Sequence, residues 1–295
     1  MGDAPDIEPE LAVQAFIHAV NEAGESEAAL DITSLHEMAD KIAKRARKRI
    51  NEIRTTIAGR VFEPFAQPIV DLETGKIAHY ELLLRLPDGR PVEENVGFAE
   101  STGLICEIDY AMTEIAAHFL RDDFDRPSLA VNLSARSLSN MAWSKKFLAL
   151  VADLKIDRNR LSFELTETYQ VKNSKAANAV LQKLRERGHK VCIDDFGAGS
   201  AGLHYLRSFD ADVVKIDGSY VRNAGRSKRD TILMGGMISM CQQLGIRTVA
   251  EMIESETTAA LLKSMGVTYG QGFYFGKPVP LETLKDKSKS ASRAA

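Results

Sequence analysis

The sequence predicts an α/β fold: a TIM-like (β/α)8 barrel with one antiparallel strand, preceded by N-terminal helices. Three observations carry this. After residue 60, short apolar runs alternate with helix-period segments, the pattern of repeated βα units. The first two runs are separated only by Glu73-Thr74-Gly75-Lys76, a hairpin-length turn that sets one strand antiparallel to its neighbour. The candidate strands number eight, and right-handed crossovers then bring the βα loops to one face. A doubly wound open sheet is the rival, but no glycine-rich phosphate turn follows an early strand.

Residues 1–60 form an N-terminal helical region. Pro9 to Ala23 and Ser34 to Gly59 carry helix-period apolar positions and almost no strand signal. Ser34 with Glu37 is a capping-box arrangement. Met38, Ile42, Ala46, Ile50, Ile53 and Ile57 step by three and four, which gathers an apolar stripe for a partner. Between Lys41 and Arg60 stand eight Lys/Arg and one acid. The simplest reading is a solvated basic face; the sharper one is a dimerising or signal-transmitting helix.

The barrel is expected over residues 61–282. Its strands are Pro64–Leu72, Ile77–Leu86, Leu129–Leu133, Leu161–Thr166, Val191–Asp195, Val213–Ile216, Thr248–Glu251 and Gly270–Phe275. Helix-like segments between them are Glu107–Leu120, Trp143–Leu154, Lys175–Arg187, Gly202–Leu206, Asp230–Leu244 and Ser255–Met265. The polar tail, 283–295, holds too few apolar residues to pack and is expected to be disordered.

Composition excludes several classes. A net charge of −3, from 38 Lys/Arg against 41 Asp/Glu, gives no bulk attraction to a nucleic acid polymer or an anionic membrane. Cys106, Cys192 and Cys241 are odd in number and widely spaced, against a disulfide framework. No apolar run approaches the length of a membrane segment, and the acidic start MGDAPDIEPE is unlike a signal peptide. A cytoplasmic location is the expectation.

The chemistry lies at the strand ends. Glu81 in YELLLR, Asn132 in AVNLS, Glu164 in FELTE, Asp194 and Asp195 in VCIDD, and Glu251 in TVAE each close an apolar run. Lys215 in VVKID and Gln271 in YGQGF extend the series. One strand-end acid is ordinarily a helix cap; a series of them at one barrel mouth is an oxygen-ligand cup that needs cations. None of the six histidines belongs to the series, so hard ions, Mg²⁺ or Mn²⁺, fit better than zinc. Five carboxylates favour two ions over one, and such a pair would serve hydrolysis at a phosphate. Lys215 would orient the water or steady the phosphate, and the guanidinium of Arg85, expected on the same strand face as Glu81, suits a phosphate oxygen.

Together these motifs resemble the EAL-domain phosphodiesterases that cleave cyclic di-GMP, with DDFGAG and YGQGFYFGKP as further matching stretches. The resemblance implies a TIM-like barrel and a metal set of Glu81, Asn132, Glu164, Asp194, Asp195 and Glu251. Glu251 is also implied in water activation, with Lys215 and Gln271 at the catalytic water or metal shell. It implies that Glu167 steadies the loop after the twin aspartates, that Gln67, Arg85 and Asp217 contact the dinucleotide, and that the protein forms a homodimer. The sequence departs from the family in Glu81-Leu82-Leu83, in a compressed segment PDGRPVEENVGFAESTGL, and in Ala198 and Ala201 of the loop.

The leading expectation is thus a two-metal phosphodiesterase converting cyclic di-GMP to linear pGpG. The alternative is a catalytically weak or inactive cyclic di-GMP receptor that signals to a protein partner through residues 1–60. A third reading, an enolase-like barrel with Lys215 as base, would need a capping domain that the N-terminal helices are poorly suited to supply.

Overall fold

The computed structural model describes residues 32–121, 123–166, 174–197 and 206–285. The helix expected at Pro9 to Ala23, most of Gly202–Leu206, Glu167 and the end of the tail lie outside them. The chain divides into two compact units, one of residues up to 63 with 85–108, the other of residues 64–84 and 109 onward.

The first unit is helical. Helix α1 (Ile32–Ala58) begins before Ser34, so Ser34 lies inside the helix and not at its cap. Ala46, Ile50, Ile53 and Ile57 of the expected stripe are buried within this chain, while Lys44, Arg45, Arg47 and Lys48 are exposed, as a solvated basic face requires. Arg49, in the same basic run, is half-buried. It bonds Asn95 Oδ1 at 3.0 Å, pairs with Glu94 at 3.1 Å and covers the Phe98 ring at 4.2 Å. Those partners lie on α2 (Val92–Thr102), which starts after Pro91 and stops at Gly103 in a left-handed C-cap.

The second unit is the barrel. Its strands are β1 (Phe65–Asp71), β2 (Ile77–Leu83), β3 (Leu129–Ser134), β4 (Leu161–Thr166), β5 (Val191–Phe196), β6 (Val213–Ile216), β7 (Arg247–Ala250) and β8 (Tyr269–Gln271), with a two-residue β9 (Val279–Pro280). Parallel pairing runs from β2 through β8, and β1, antiparallel to both β8 and β2, closes the ring. β9 adds to β1 beside Phe65 and Ala66. The expected barrel with one antiparallel strand is therefore what forms. The turn after β1 is fixed by Asp71, whose carboxylate accepts from the Thr74 amide at 2.8 Å and its hydroxyl at 3.0 Å.

Outward strand residues pack under helices, and inward ones fill the ring. On the outer side, Phe163 of β4 meets Phe147 edge-on at 5.6 Å, and Phe147 stacks on Trp143, both on α5 (Met141–Asp153). On β6 and β7, Ile216 and Ala250 join a cluster with Met234 and Ile238 of α8 (Lys228–Gln243) and Leu262 of α9 (Glu256–Ser264). The remaining helices are α3 (Ile105–Arg121), α4 (Ala135–Ser139), α6 (Ser174–Glu186) and α7 (Gly218–Asn223). Inside the ring, Ile69, Cys192, Val213 and Val249 form a small neutral layer bordered by Tyr269.

Among the strand boundaries that differ from expectation, two bear on the site. β2 ends at Leu83, so the strand alternation placing Arg85 on the Glu81 face does not reach Arg85. β8 stops at Gln271, because Ile253 N donates to Gln271 O at 2.9 Å while Tyr274 N donates to Ile253 O at 3.0 Å, turning the chain across the end of β7.

Candidate metal centre

Side chains two residues apart on a strand share a face, so one step beyond the neutral layer toward the C-terminal ends lies a second inward layer. It contains Glu81 on β2, Asn132 on β3, Glu164 on β4, Asp194 on β5, Lys215 on β6, Glu251 just after β7 and Gln271 at the end of β8. Gln67 joins from antiparallel β1, opposite Glu81 in register.

Lys215 is at the centre. Its Nζ lies 3.2 Å from Glu81 Oε2, 3.1 Å from Glu164 Oε2, 3.0 Å from Asp194 Oδ1 and 2.9 Å from Glu251 Oε1. Glu81 is further held by Asn132 Nδ2 at 2.8 Å and by Gln271 Nε2 at 2.7 Å, and the Gln271 amide also reaches Gln67 Oε1 at 3.2 Å. Glu81, Glu164, Asp194, Lys215 and Gln271 are all buried.

Asp195 needs a local device, because a residue adjacent to Asp194 should point out of the barrel. The β5–β6 register shifts between Ile193 and Phe196, and Asp195 adopts φ 53°. This irregularity brings a carboxylate oxygen of Asp195 together with Asp194 and Glu251, within 4.8 Å of one another. A second trio, Glu81, Glu164 and Asp194, meets the same limit, so the two groups share Asp194. Met252, directly after Glu251, is also left-handed at φ 53°. Backbone strain of this kind gathers at functional sites.

One ammonium does not neutralise the cup. Burial drives the Glu164 and Asp194 carboxyls upward, against the pull of Lys215. Burial takes Glu251 to about 8, and burial with the neighbouring Asp194 takes Asp195 to about 6. Glu81 goes the other way: burial would raise it, but Lys215 and the two amide donors together hold it below the carboxylate range. Lys215, despite its burial, is kept well above its ordinary value by the acids around it. Glu81 is thus the acid whose ionised form the site favours, while Glu164, its Oε2 beside Lys215, is pushed well above its ordinary value.

The set fits a hard metal ion. Its donors are oxygens, and Asn132 Oδ1 is buried without a hydrogen bond. Residues 50–278 match the EAL domain. This chain belongs to the EAL domain family. Among curated relatives, the cyclic di-GMP phosphodiesterase PdeF of Escherichia coli K12 is 31% identical over 258 residues, covering 85% of this chain and 34% of that protein. The cyclic di-GMP phosphodiesterase PA2567 of Pseudomonas aeruginosa is 32% identical over 229 residues, covering 75% and 39%. The chain thus spans between a third and two fifths of the length of these relatives. The PaMucR phosphodiesterase in complex with c-di-GMP is similar in structure, with 27% identity, a TM-score of 0.71, and coverage of 80% of this chain and 98% of that one. An EAL domain protein from Listeria monocytogenes EGD-e has a TM-score of 0.67 at 27% identity, covering 80% and 96%.

The other expected residues of this EAL chain fall elsewhere. Asp217 caps α7, accepting from the Ser219 amide at 2.9 Å and from its hydroxyl. Arg85 belongs to the helical unit, where its carbonyl accepts from Glu63 N at 3.3 Å. Two supporting positions escaped the sequence reading. A Cβ on Gly272 would stand 2.1 Å from Ile253 O, so only glycine lets the chain after Gln271 lie against the segment after Glu251. Gly218 admits the Met252 side chain in the same way, with Sδ 2.4 Å from where its Cβ would be. No described helix is long and apolar enough to cross a membrane.

Proposed function

We propose that the chain is a phosphodiesterase that hydrolyses cyclic di-GMP to linear pGpG with two divalent cations, Mg²⁺ or Mn²⁺. The observation that carries this reading is the pair of acid trios sharing Asp194 around Lys215. The charge supports it: Glu81, Glu164, Asp194, Asp195 and Glu251 bring −5 and Lys215 +1, leaving −4 for two divalent ions to balance. Bound there, such a pair supplies a polarised phosphate and a water of lowered pKa.

The residues divide the work. Glu81, Asn132, Glu164 and Asp194 hold one side of the site, and Asp194, Asp195 and Glu251 the other. Glu251, 16% exposed and the most open of the four acids on Lys215, is placed to take the proton of the attacking water. Lys215 donates to the attacked centre, and Gln271 with Gln67 keeps Glu81 aligned. Gln67, Arg85 and Asp217 contact the dinucleotide, Glu167 steadies the loop after Asp195, and residues 1–60 carry the input to the barrel of residues 61–282, which works as a cytoplasmic homodimer.

The test is incubation of the purified chain with cyclic di-GMP and either metal, with product followed by chromatography, beside a binding measurement in Ca²⁺. Linear pGpG is the expected product. Binding without product in Mg²⁺ and in Mn²⁺ would overturn the enzyme reading in favour of a receptor.

A further inference from the structure

The opposite end of the barrel holds a second polar space. A cavity of about 100 Å³ lies among residues at the starts of the strands: His79 of β2, Ser128 before β3, Asn159 and Ser162 around the start of β4, Lys190 before β5 and Arg247 at the head of β7. Its inner wall is the neutral layer, with Cys192, Val213 and Val249, which separates it from Lys215.

Its charge is one-sided. Lys190 and Arg247 form no ion pair among the described residues. Arg247 is nevertheless held in place: its Nη1 donates to Tyr269 Oη at 2.8 Å, and the guanidinium lies 5.7 Å from that ring. This fixes the fork and leaves its other N–H donors for a ligand. The one acid on the wall, Glu164, sits at the inner end and is engaged by Lys215 at 3.1 Å. The polar side chains of Ser128, Ser162 and Asn159 complete the lining, with the Ser162 hydroxyl donating to Leu129 O at 3.3 Å and the Asn159 amide to Asp157 Oδ1 at 3.3 Å. Barrel interiors are ordinarily filled with branched apolar side chains in layers, so an open, polar layer carrying two cations at this end is a departure from packing for stability.

We propose that this cavity is a second ligand site that takes a small oxyanion, held by Arg247 and Lys190. Its volume is that of about three waters in the liquid, enough for one four-oxygen anion and too little for a nucleoside. A free phosphate and a small carboxylate share the recognising chemistry, two cations and neighbouring donors. The site meets the metal centre only at Glu164 and does not depend on the phosphodiesterase reading.

The test uses the full chain freed of metal, titrated with inorganic phosphate and separately with acetate at constant ionic strength set by sodium chloride, and read by calorimetry and by thermal shift. Saturable binding is expected, weakened about tenfold or more by Arg247→Gln and by a smaller factor by Lys190→Gln. Lys190 is exposed, so its variant folds even if Arg247→Gln does not, and circular dichroism checks both. Asp194→Asn, at the metal centre, should bind phosphate as the unaltered chain does. Phosphate alone binding identifies a phosphate site, and acetate binding equally well identifies a carboxylate site. No saturable signal from either anion, unchanged binding in both cation variants, or loss of binding in Asp194→Asn would each overturn the proposal.

Discussion

Two inward layers of one barrel, two residues apart on the same strands, have opposite characters. The inner layer packs Ile69, Cys192, Val213 and Val249 with nothing charged among them. The layer above replaces each neutral side chain by a polar one: Val213 gives way to Lys215, Cys192 to Asp194, Val249 to Glu251. The strands are shared, so apart from the register shift beside Asp194 the contrast belongs to side-chain choice. A fold seeking stability would continue the neutral packing; the upper layer instead accepts like charges whose balance waits for a ligand.

The sharpest way to break this comparison is to neutralise one acid of the upper layer. Glu251→Gln or Asp194→Asn should lower cyclic di-GMP turnover by more than about 100-fold, the scale on which even supporting groups of a metal site act. The same variants should melt higher than the parent when both are metal-free at a pH of about 9, where Glu251 is ionised, by about 1 kcal/mol, because each then removes a repelling carboxylate. Steady-state assays and melts in chelator check the two halves; a variant both inactive and less stable without metal would deny that the layer is strained. Removing the central cation acts in the other direction. Lys215→Met should destabilise the metal-free chain by about 3 kcal/mol at pH 8, since four acids lose their shared partner. Denaturant titration should show that cost shrinking when Mn²⁺ is supplied.

Much of this site was legible in the sequence because parallel strands are apolar until they end, so a terminal acid stands out against its own run. FELT and VCIDD declare Glu164 and Asp194 in that way. What hid was anything set by geometry across strands. Adjacent Asp194 and Asp195 cannot both face inward in a regular strand, and only the shifted register and the left-handed Asp195 reconcile them. Gln67 lies on the strand that runs backwards, and its place beside Gln271 follows from barrel closure rather than from local pattern. Helix α2 was missed because its buried face is largely polar, with Asn95, Glu100 and Thr102 beside Phe98 and Ala99, so it shows no apolar period. The strand alternation that set Arg85 on the Glu81 face fails because β2 stops three residues short of its expected end.

The neutral layer offers the converse test. Val249→Ala removes two methyls from a side chain 1% exposed and should cost about 2 kcal/mol in denaturant titrations. Metal affinity, measured by calorimetry with Mn²⁺, should stay within about threefold of the parent, because no upper-layer ligand rests on that residue alone. A large loss of affinity would show that the two layers are coupled rather than independent.

The smallest effect is a pH slope, and its sign separates the layers. Glu251 titrates at about 8 in the folded chain against about 4.3 in an unfolded one. Between those values the folded state binds the extra proton, so this stabilisation is full below the unfolded value and is lost as pH rises toward 8. Glu164, Asp194 and Asp195 are shifted the same way. His79 in the lower part of the barrel, pushed by burial down to about 4, works in the opposite sense: its contribution grows as pH rises from there to about 6.5 and is then constant. The clean window is therefore pH 7 to 8, where the metal-free chain should lose about 1 kcal/mol, mostly through Glu251. Saturating Mn²⁺ takes the place of the proton and should remove or reverse the slope. Thermal melts in chelator and in Mn²⁺ across that window decide it, and a metal-free stability that is flat or rises with pH would mean that the upper layer holds no shared proton.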